Sequence, residues 1–124
     1  MKRILVVDDD EKVRFVLSTS LERMENPYII KTASNGKDAL VEFNHEPFDL
    51  VITDIRMPHM NGIELTEAIR QTKADTKIIW ITAYECRYLQ PERIKFKVFR
   101  CIDKPLRIEA IRQTVIEVLE NNFT

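Results

Sequence analysis

Residues 4–10, which read ILVVDDD, decide the fold, because four consecutive apolar residues run directly into three aspartates. A similar arrangement returns at residues 50–54, which read LVITD, and at residues 78–82, which read IIWIT. Apolar runs that are continuous rather than alternating are typical of strands buried on both faces of a parallel sheet. The three stretches therefore predict central strands of a parallel sheet, with polar residues at the points where the strands end.

Five runs rich in β-branched or apolar residues occur along the chain, and each predicts a strand. They cover residues 3–7, 28–33, 50–53, 77–82 and 98–102. The second run includes Lys31 and Thr32, which places it at an edge of the sheet. Segments with helical spacing of apolar residues separate the runs, and one more follows the last run. This alternation predicts an α/β domain with right-handed crossovers. Asp10 is the expected N-cap of the first helix, and Asn61 with Glu64 forms the expected capping box of the third.

Composition excludes several classes of function. The chain has 124 residues, of which 44% are hydrophobic, and its 19 basic and 20 acidic side chains give a net charge of −1. Because attraction to nucleic acid or acidic membranes needs a basic excess, we expect neither as a direct partner. Gly36 and Gly62 stand alone, so glycine-rich nucleotide loops are excluded.

The location of the protein is also constrained by its sequence. The first apolar run is too short for a signal peptide, and no run approaches the ~18 apolar residues of a membrane span. Cys86 and Cys101 are 15 positions apart and form no C-x-x-C motif. We therefore expect a cytoplasmic protein whose two cysteines are reduced thiols.

Polar residues at four strand ends define the candidate site. Strands 1, 3, 4 and 5 of the predicted sheet end beside Asp8 and Asp9, Asp54, Thr82 and Lys104, respectively. In parallel sheets these ends meet at one edge. Three carboxylates in a small space repel one another unless a cation lies between them, and hard oxygen ligands favour Mg²⁺. An ionised aspartate can be a nucleophile, so phosphoryl transfer to Asp54 is the chemistry that this set of residues predicts.

Four sequence blocks resemble the signatures of the receiver domains of two-component response regulators. Residues 4–11, 49–62, 81–83 and 103–106 read ILVVDDDE, DLVITDIRMPHMNG, ITA and DKPL, in the order found in that family. The resemblance covers essentially the whole chain. It implies a single receiver domain over residues 1–124 with a flavodoxin-like (βα)5 three-layer sandwich, whose five parallel strands have the order 2-1-3-4-5.

The resemblance further implies a role for each site residue. Asp54 would accept a phosphoryl group from the phosphohistidine of a sensor histidine kinase or a phosphotransfer protein. The domain would be no enzyme beyond its own phosphorylation and slow autodephosphorylation. The implied Mg²⁺ ligands are Asp8, Asp9, Asp54 and the backbone carbonyl of Arg56; the implied phosphoryl contacts are Thr82, Ala83 and Lys104; and the implied cis peptide bond is Lys104–Pro105.

The implied output face is formed by the fourth helix, fifth strand and fifth helix, and it could also support a homodimer. Here the chain departs from the family three times. Cys101 stands where the family has an aromatic switch residue, and Pro91 predicts a short or displaced fourth helix. Lys97 stands in place of the glycine that often ends that helix, so we expect the usual left-handed cap to be missing. Cys101 is interpreted as a small packed side chain, or one that leaves space for another residue to respond.

Two positions are expected to tune the lifetime of the phosphorylated state. Arg56 and Tyr84 follow the nucleophile and the threonine by two residues each, where the family controls hydrolysis. We hypothesise that both screen water, with solvated surface residues as the alternative.

Two other functions remain open at this point. One is a small phosphohydrolase in which Asp8 is the nucleophile and Asp10 the acid/base, since residues 8–10 match a D-x-D motif. The other is a docking domain that keeps the receiver scaffold but works without phosphorylation. The sequence leaves open whether the chain is a stand-alone regulator or part of a longer protein.

Overall fold

The computed structural model describes residues 1–120, and the last four residues of the predicted domain lie outside that range. Strands and helices alternate along the described chain. The strands are β1 (Lys2–Val7), β2 (Tyr28–Ala33), β3 (Leu50–Asp54), β4 (Lys77–Thr82) and β5 (Arg100–Asp103). The α-helices are α1 (Glu11–Glu22), α2 (Gly36–His45), α3 (Gly62–Thr72), α4 (Gln90–Lys95) and α5 (Ile108–Leu119), and a 3₁₀ helix spans Cys86–Leu89.

All five described strands are parallel, in the order β2-β1-β3-β4-β5. This confirms the α/β, flavodoxin-like fold and the edge position of the second strand. The chain reverses its direction of winding between β1 and β3, which are neighbours with Val7 paired to Thr53. The carboxyl ends of these two strands lie side by side at this switch point, the location at which doubly wound sheets bind ligands.

A hydrophobic core covers each face of the sheet. On one face, Phe43 of α2 and Leu65 of α3 share a core cluster with Trp80 of β4. On the other face α1 and α5 pack through Leu17 and Val115. The strand residues at the centre are fully buried, as the continuous apolar runs predicted. Among the described helices, none has both the length and the apolar character that crossing a membrane requires.

Local signals placed the helix starts correctly. Asp10 is the N-cap of α1, and its carboxylate accepts the N–H of Lys12 at 2.9 Å. Asn61 and Glu64 form the predicted capping box at the start of α3. The predicted strand bounds were less accurate. Strand β3 extends to Asp54 rather than ending at residue 53, and β5 begins at Arg100 rather than at residue 98. Val98 instead donates its N–H to the carbonyl of Arg93 and completes the end of α4.

Helix α4 is short, as Pro91 predicted, and the proline lies in its first turn. The prediction that its left-handed cap is missing is wrong. Lys97 itself has φ 55°. Its N–H donates to Ile94 O at 3.2 Å, and the next N–H donates to Arg93 O at 2.9 Å. These two bonds form a Schellman motif, so the backbone keeps the cap geometry with a lysine in the glycine position.

Lys97→Gly is therefore expected to raise the free energy of unfolding by about 1 kcal/mol, because glycine adopts a left-handed conformation without the Cβ penalty. Urea denaturation measures this change. The matched variant Lys95→Gly alters the last residue of α4 and is expected to lower the free energy by about 0.5–1 kcal/mol. Equal destabilisation by both variants would contradict the assignment of the cap.

Candidate functional site

Three aspartates meet where β1 and β3 end. Asp8 and Asp9 directly follow β1, and Asp54 is the last residue of β3. Asp8 is fully buried, Asp54 is 6% exposed, and Asp9 is exposed. One carboxylate oxygen from each residue lies within 4.8 Å of the others. The structure thus brings together the three predicted carboxylates at the switch point of the sheet.

Backbone N–H groups orient the two buried carboxylates. The N–H of Asp10 donates to Oδ1 of Asp8 at 2.9 Å, and the N–H of Ile55 donates to Oδ1 of Asp54 at 2.7 Å. Nη1 of Arg14 donates to the backbone carbonyl of Asp8 at 2.7 Å and holds this turn in place. In both carboxylates Oδ1 is therefore engaged by a backbone donor.

Lys104 lies between the other two oxygens. Its Nζ is 2.9 Å from Oδ2 of Asp8 and 3.3 Å from Oδ2 of Asp54. Its backbone N–H donates to the carbonyl of Thr82 at 2.8 Å, which ties the end of β5 to the end of β4. The Lys104–Pro105 peptide bond is cis, the conformation that the family resemblance implies.

Burial and the neighbouring charges together set the pKa values of Asp54 and Lys104. Burial raises the pKa of Asp54 and the charge of Asp8 raises it further, while the Lys104 ammonium opposes both. Burial lowers the pKa of Lys104, but the hydrogen bond to Asp8 and the two carboxylate charges outweigh this, so its pKa is raised. Lys104 therefore stays cationic and favours the ionised form of Asp54. Three carboxylates against one ammonium still leave an excess of negative charge and oxygen ligands, which fits a hard divalent cation.

Thr82 ends the strand next to β3, and Tyr84 follows it by two residues. Thr82, the last residue of β4, is 1% exposed, and its Oγ1 accepts the N–H of Tyr84 at 2.8 Å. The guanidinium of Arg56 lies 4.5 Å from the ring centre of Tyr84, whose own centre is 5.8 Å from that of Tyr88. Arg56 and Tyr84 thus contact each other, and both side chains are exposed. Ala83, between Thr82 and Tyr84, is exposed.

The loop after β3 packs back against the backbone of Asp54. The N–H of Gly62 donates to the carbonyl of Ile55 at 2.8 Å. A Cβ at Gly62 would overlap the carbonyl oxygen of Asp54 and lie 3.0 Å from Cα of Ile55. Only glycine permits this approach, so Gly62 helps to position Asp54 without contributing a side chain.

The prediction of two free thiols is wrong, because Cys86 and Cys101 form a disulfide with their Cα atoms 5.8 Å apart. Cys101 is therefore neither a simple packed thiol nor a residue that leaves a space. The N–H of Cys86 also donates to the carboxylate of Asp103 at 2.8 Å. Sequence reasoning missed the contact of Cys86 with Asp103, which depends on the path of the chain around α4, and the contact of Arg14 with the carbonyl of Asp8, which no motif spacing marks.

Comparison with known proteins identifies the family. A family model described as the response regulator receiver domain matches residues 4–116. The chain belongs to this family. It is 33% identical over 119 residues to the response regulator receiver protein CpdR of Brucella abortus, and the match covers 96% of this chain and 98% of CpdR. Other relatives are longer, and the chain spans 12% of the length of some that are named sensor histidine kinases.

Solved receiver structures have the same fold. The chemotaxis protein CheY4 of Vibrio cholerae superimposes with a TM-score of 0.87 at 29% identity, over 96% of this receiver and 99% of CheY4. The response regulator TrrA of Thermotoga maritima, solved in complex with Mg²⁺ and BeF, gives a TM-score of 0.84 at 37% identity, over 96% of this receiver and all of TrrA. In this receiver, the carboxylates of Asp8, Asp9 and Asp54 form an acidic cluster that could hold a metal ion.

Proposed function

We propose that this chain, over residues 1–124, is a phosphoacceptor receiver domain in which Asp54 takes a phosphoryl group from the phosphohistidine of a sensor histidine kinase or a phosphotransfer protein. The observation that carries the proposal is the contact of one Lys104 ammonium with both Asp8 and Asp54. This arrangement places a fixed positive charge beside a buried nucleophile, where it stabilises the phosphoryl oxygens during transfer.

The proposed reaction needs no general base. A carboxylate oxygen of Asp54 attacks phosphorus, the P–N bond of the phosphohistidine breaks, and the departing imidazole keeps the electron pair and takes up a proton. Burial disfavours the ionised form of Asp54, and Lys104 counteracts that effect. The hydroxyl of Thr82, the N–H of Ala83 and the ammonium of Lys104 would contact the transferred group.

The donor set fits Mg²⁺. Asp8, Asp9 and Asp54, whose carboxylate oxygens form one cluster, would hold the ion, and the backbone carbonyl of Arg56 would be a fourth oxygen ligand. When bound, the ion neutralises charge on the phosphoryl oxygens in the transition state. Arg14 and the backbone N–H groups of Asp10 and Ile55 would keep the carboxylates in place for both purposes.

Metal removal tests this proposal. Incubation with acetyl phosphate and Mg²⁺ is expected to add one phosphoryl group at Asp54, and chelation by EDTA is expected to slow labelling by at least about tenfold. Intact mass and peptide mapping measure the site, and renewed Mg²⁺ after chelation is the control. No labelling under any condition would support the docking domain instead, whereas labelling at Asp8 with repeated turnover would support the hydrolase.

The hydrolase is disfavoured by the hydrogen bond of the residue that would be its acid/base. The carboxylate of Asp10, which would be the acid/base, caps α1 through the N–H of Lys12. Asp10 therefore has a structural role that accounts for its presence.

An apolar surface next to Lys104 supports a docking partner. Phe15 and Val16 on α1 are 67% and 46% exposed. Val16 also lines a groove with Val13, Pro105 and Leu106 that reaches Lys104. Exposed apolar patches mark interaction sites, and this one borders the phosphorylation site. We assign the kinase or phosphotransfer partner to it, in the cytoplasm and without direct binding of nucleic acid or membrane.

The proposed output face comprises α4, β5 and α5. It changes when Asp54 is phosphorylated, and it is also the proposed surface for a homodimer. Phe99 and Ile94 expose apolar area there, which supports contact with another protein surface.

Tyr84→Ala is expected to speed loss of phosphate from Asp54 by about three- to tenfold, because the stacked Arg56 and Tyr84 side chains would no longer screen water. The measurement is the decay of the phosphorylated protein after removal of the phosphodonor. The matched variant Tyr88→Ala removes a tyrosine that contacts Tyr84 but not Arg56 in the described contacts, and it is expected to change the decay less. An unchanged or slower decay in Tyr84→Ala would contradict the hypothesis that these two side chains screen water.

A further inference from the structure

The Cys86–Cys101 disulfide encloses the part of the chain that forms α4. Cys86 is the first residue of the 3₁₀ helix and Cys101 lies in β5, with a sequence separation of 15. Their Cα distance of 5.8 Å is within the usual range for a disulfide. The enclosed chain carries the 3₁₀ helix, α4 and the Schellman turn. The disulfide therefore ties the start of this segment directly to the strand that follows it.

The same tie lies next to the proposed phosphorylation site. Cys86 follows Thr82 by four residues, and Asp103, which accepts the N–H of Cys86, directly precedes Lys104. Lys104 in turn donates its N–H to the carbonyl of Thr82. The segment from Thr82 to Cys86 is thus anchored to the end of β5 at both of its ends, and the disulfide is the covalent anchor.

We propose that Cys86 and Cys101 form a reversible thiol–disulfide site whose redox state sets how far the segment after Thr82 moves when Asp54 is phosphorylated. The coupling rests on the proposed phosphoacceptor function, and the reversibility of the disulfide rests on the proposed cytoplasmic location. In reducing compartments, disulfides are typically transient and redox-sensing rather than permanent, so a pair at this position in a cytoplasmic receiver has a regulatory use.

The exchange partner is a thiol–disulfide couple of the glutathione type. A partner thiolate attacks Sγ of Cys101, the S–S bond breaks, and the Cys86 sulfur leaves with the electron pair and takes up a proton. A second partner thiolate then attacks the partner sulfur of the mixed disulfide, and Cys101 leaves with the electron pair and takes up a proton. Overall, the receiver disulfide gains two electrons and two protons, and two partner thiols become one disulfide.

Burial selects the sulfur that reacts first. Cys86 is 8% exposed, whereas Cys101 is half-buried and lies on an edge strand. Access controls exchange, so we assign the attacked sulfur to the more exposed residue, Cys101, and the leaving sulfur to Cys86. After reduction, the hydrogen bond from Cys86 to Asp103 remains, and the covalent anchor is gone.

A redox titration of the folded protein tests the first half of the proposal. The protein is equilibrated in mixtures of reduced and oxidised glutathione without denaturant, free thiols are alkylated, and their number is read from the intact mass. We expect both thiols to appear together within the range of these mixtures and the disulfide to re-form on return to the oxidised mixture. Trp80, the single tryptophan, pairs with Cys101 across β4 and β5, so its fluorescence gives a second readout. A pair that stays oxidised in reduced glutathione, or never re-forms, overturns the proposal.

Hydrogen exchange tests the coupling. Labelling with acetyl phosphate and Mg²⁺ is carried out on the oxidised and reduced protein, and exchange is followed in residues 83–103. We expect the change caused by phosphorylation to be about threefold larger in the reduced protein, because the segment has lost its covalent anchor. Cys86→Ser, which keeps the backbone hydrogen bond to Asp103, is expected to match the reduced protein in every redox buffer.

The outcomes separate this proposal from the proposed function. Equal exchange changes in the oxidised and reduced protein, with Asp54 labelled in both, overturn the coupling and leave the phosphoacceptor function standing. Absence of labelling in both forms overturns the phosphoacceptor function and the coupling together, whereas the glutathione titration still decides the thiol–disulfide site. If Cys86→Ser does not fold, the two redox forms of the unaltered protein remain a complete comparison.

Discussion

Replacing Asp54 by asparagine is expected to reduce labelling by a phosphodonor at least about 10³-fold, to a level that is not detected, since an amide forms no acyl phosphate. Asparagine has the size of aspartate and can still accept the N–H of Ile55, which holds Oδ1 in the structure. The substitution also leaves Lys104 paired with Asp8. The fold should therefore persist while the chemistry is lost. Intact mass after incubation with acetyl phosphate and Mg²⁺ measures the effect.

Asp75→Asn is the matched control for this variant. Asp75 is an exposed aspartate in the turn before β4 and lies outside the acidic cluster. The Asp75→Asn variant should be labelled at Asp54 at the same rate as the unaltered protein. Full labelling of Asp54→Asn would contradict the assignment of the nucleophile. Labelling of the unaltered protein at Asp8 instead of Asp54 would favour the hydrolase.

Gly62→Ala is expected to lower the free energy of unfolding by about 3–4 kcal/mol, because the new Cβ meets backbone atoms that cannot move without distorting β3. The affected atoms include the carbonyl of Asp54, so the nucleophile should also be displaced. A displacement on this scale is expected to slow labelling of Asp54 by about 100-fold. Urea denaturation and the time course of labelling measure the two effects separately.

Gln71→Ala is the control, as it places alanine at an exposed position of the same helix. It should change the free energy of unfolding by less than about 0.5 kcal/mol and leave labelling unaltered. If Gly62→Ala labels at the rate of the control, the close approach of this loop does not position Asp54.

The acidic cluster shows how a near-neutral protein concentrates charge. The overall balance of 19 basic and 20 acidic side chains conceals three carboxylates that share one small site. Asp8 and Asp54 are tolerated in the interior because each has a backbone donor at one oxygen and Lys104 at the other. Removing Lys104 would leave two neighbouring buried carboxylates without a charged partner, so the lysine has a structural role even before any phosphoryl group arrives.

The output side of the domain combines three sequence departures into one local structure. Pro91 starts a short α4, Lys97 caps it in a left-handed conformation, and Cys101 in the following strand pairs with Cys86. Arg70 of α3 supports this turn, since its guanidinium donates to the carbonyls of Phe96 and Lys97 at 2.7 and 3.1 Å. The segment between Thr82 and Lys104 is thus held by contacts from α3 and β5.

Much of the fold and of the site could be predicted because the signals are local. A strand buried on both faces must be apolar throughout, and a helix start must satisfy its free N–H groups, so ILVV, LVI, Asp10 and the Asn61–Glu64 pair are readable in short windows. Parallel pairing then brings the strand ends to one edge, which is why Asp8, Asp54 and Lys104 could be grouped before any distance was known.

The disulfide and the cap of α4 were decided only by the tertiary structure, because they depend on residues distant in the chain and on the path of a turn. A spacing of 15 does not state whether two cysteines are near, and their pairing required the turn at Lys97 to bring β5 back beside the 3₁₀ helix. The replacement of glycine by lysine pointed to a lost cap, yet the hydrogen bonds of the Schellman motif and the support of Arg70 outweigh the Cβ penalty at one residue. The sequence by itself therefore determined the sheet and its acidic edge, whereas packing decided the disulfide and the course of the chain around α4.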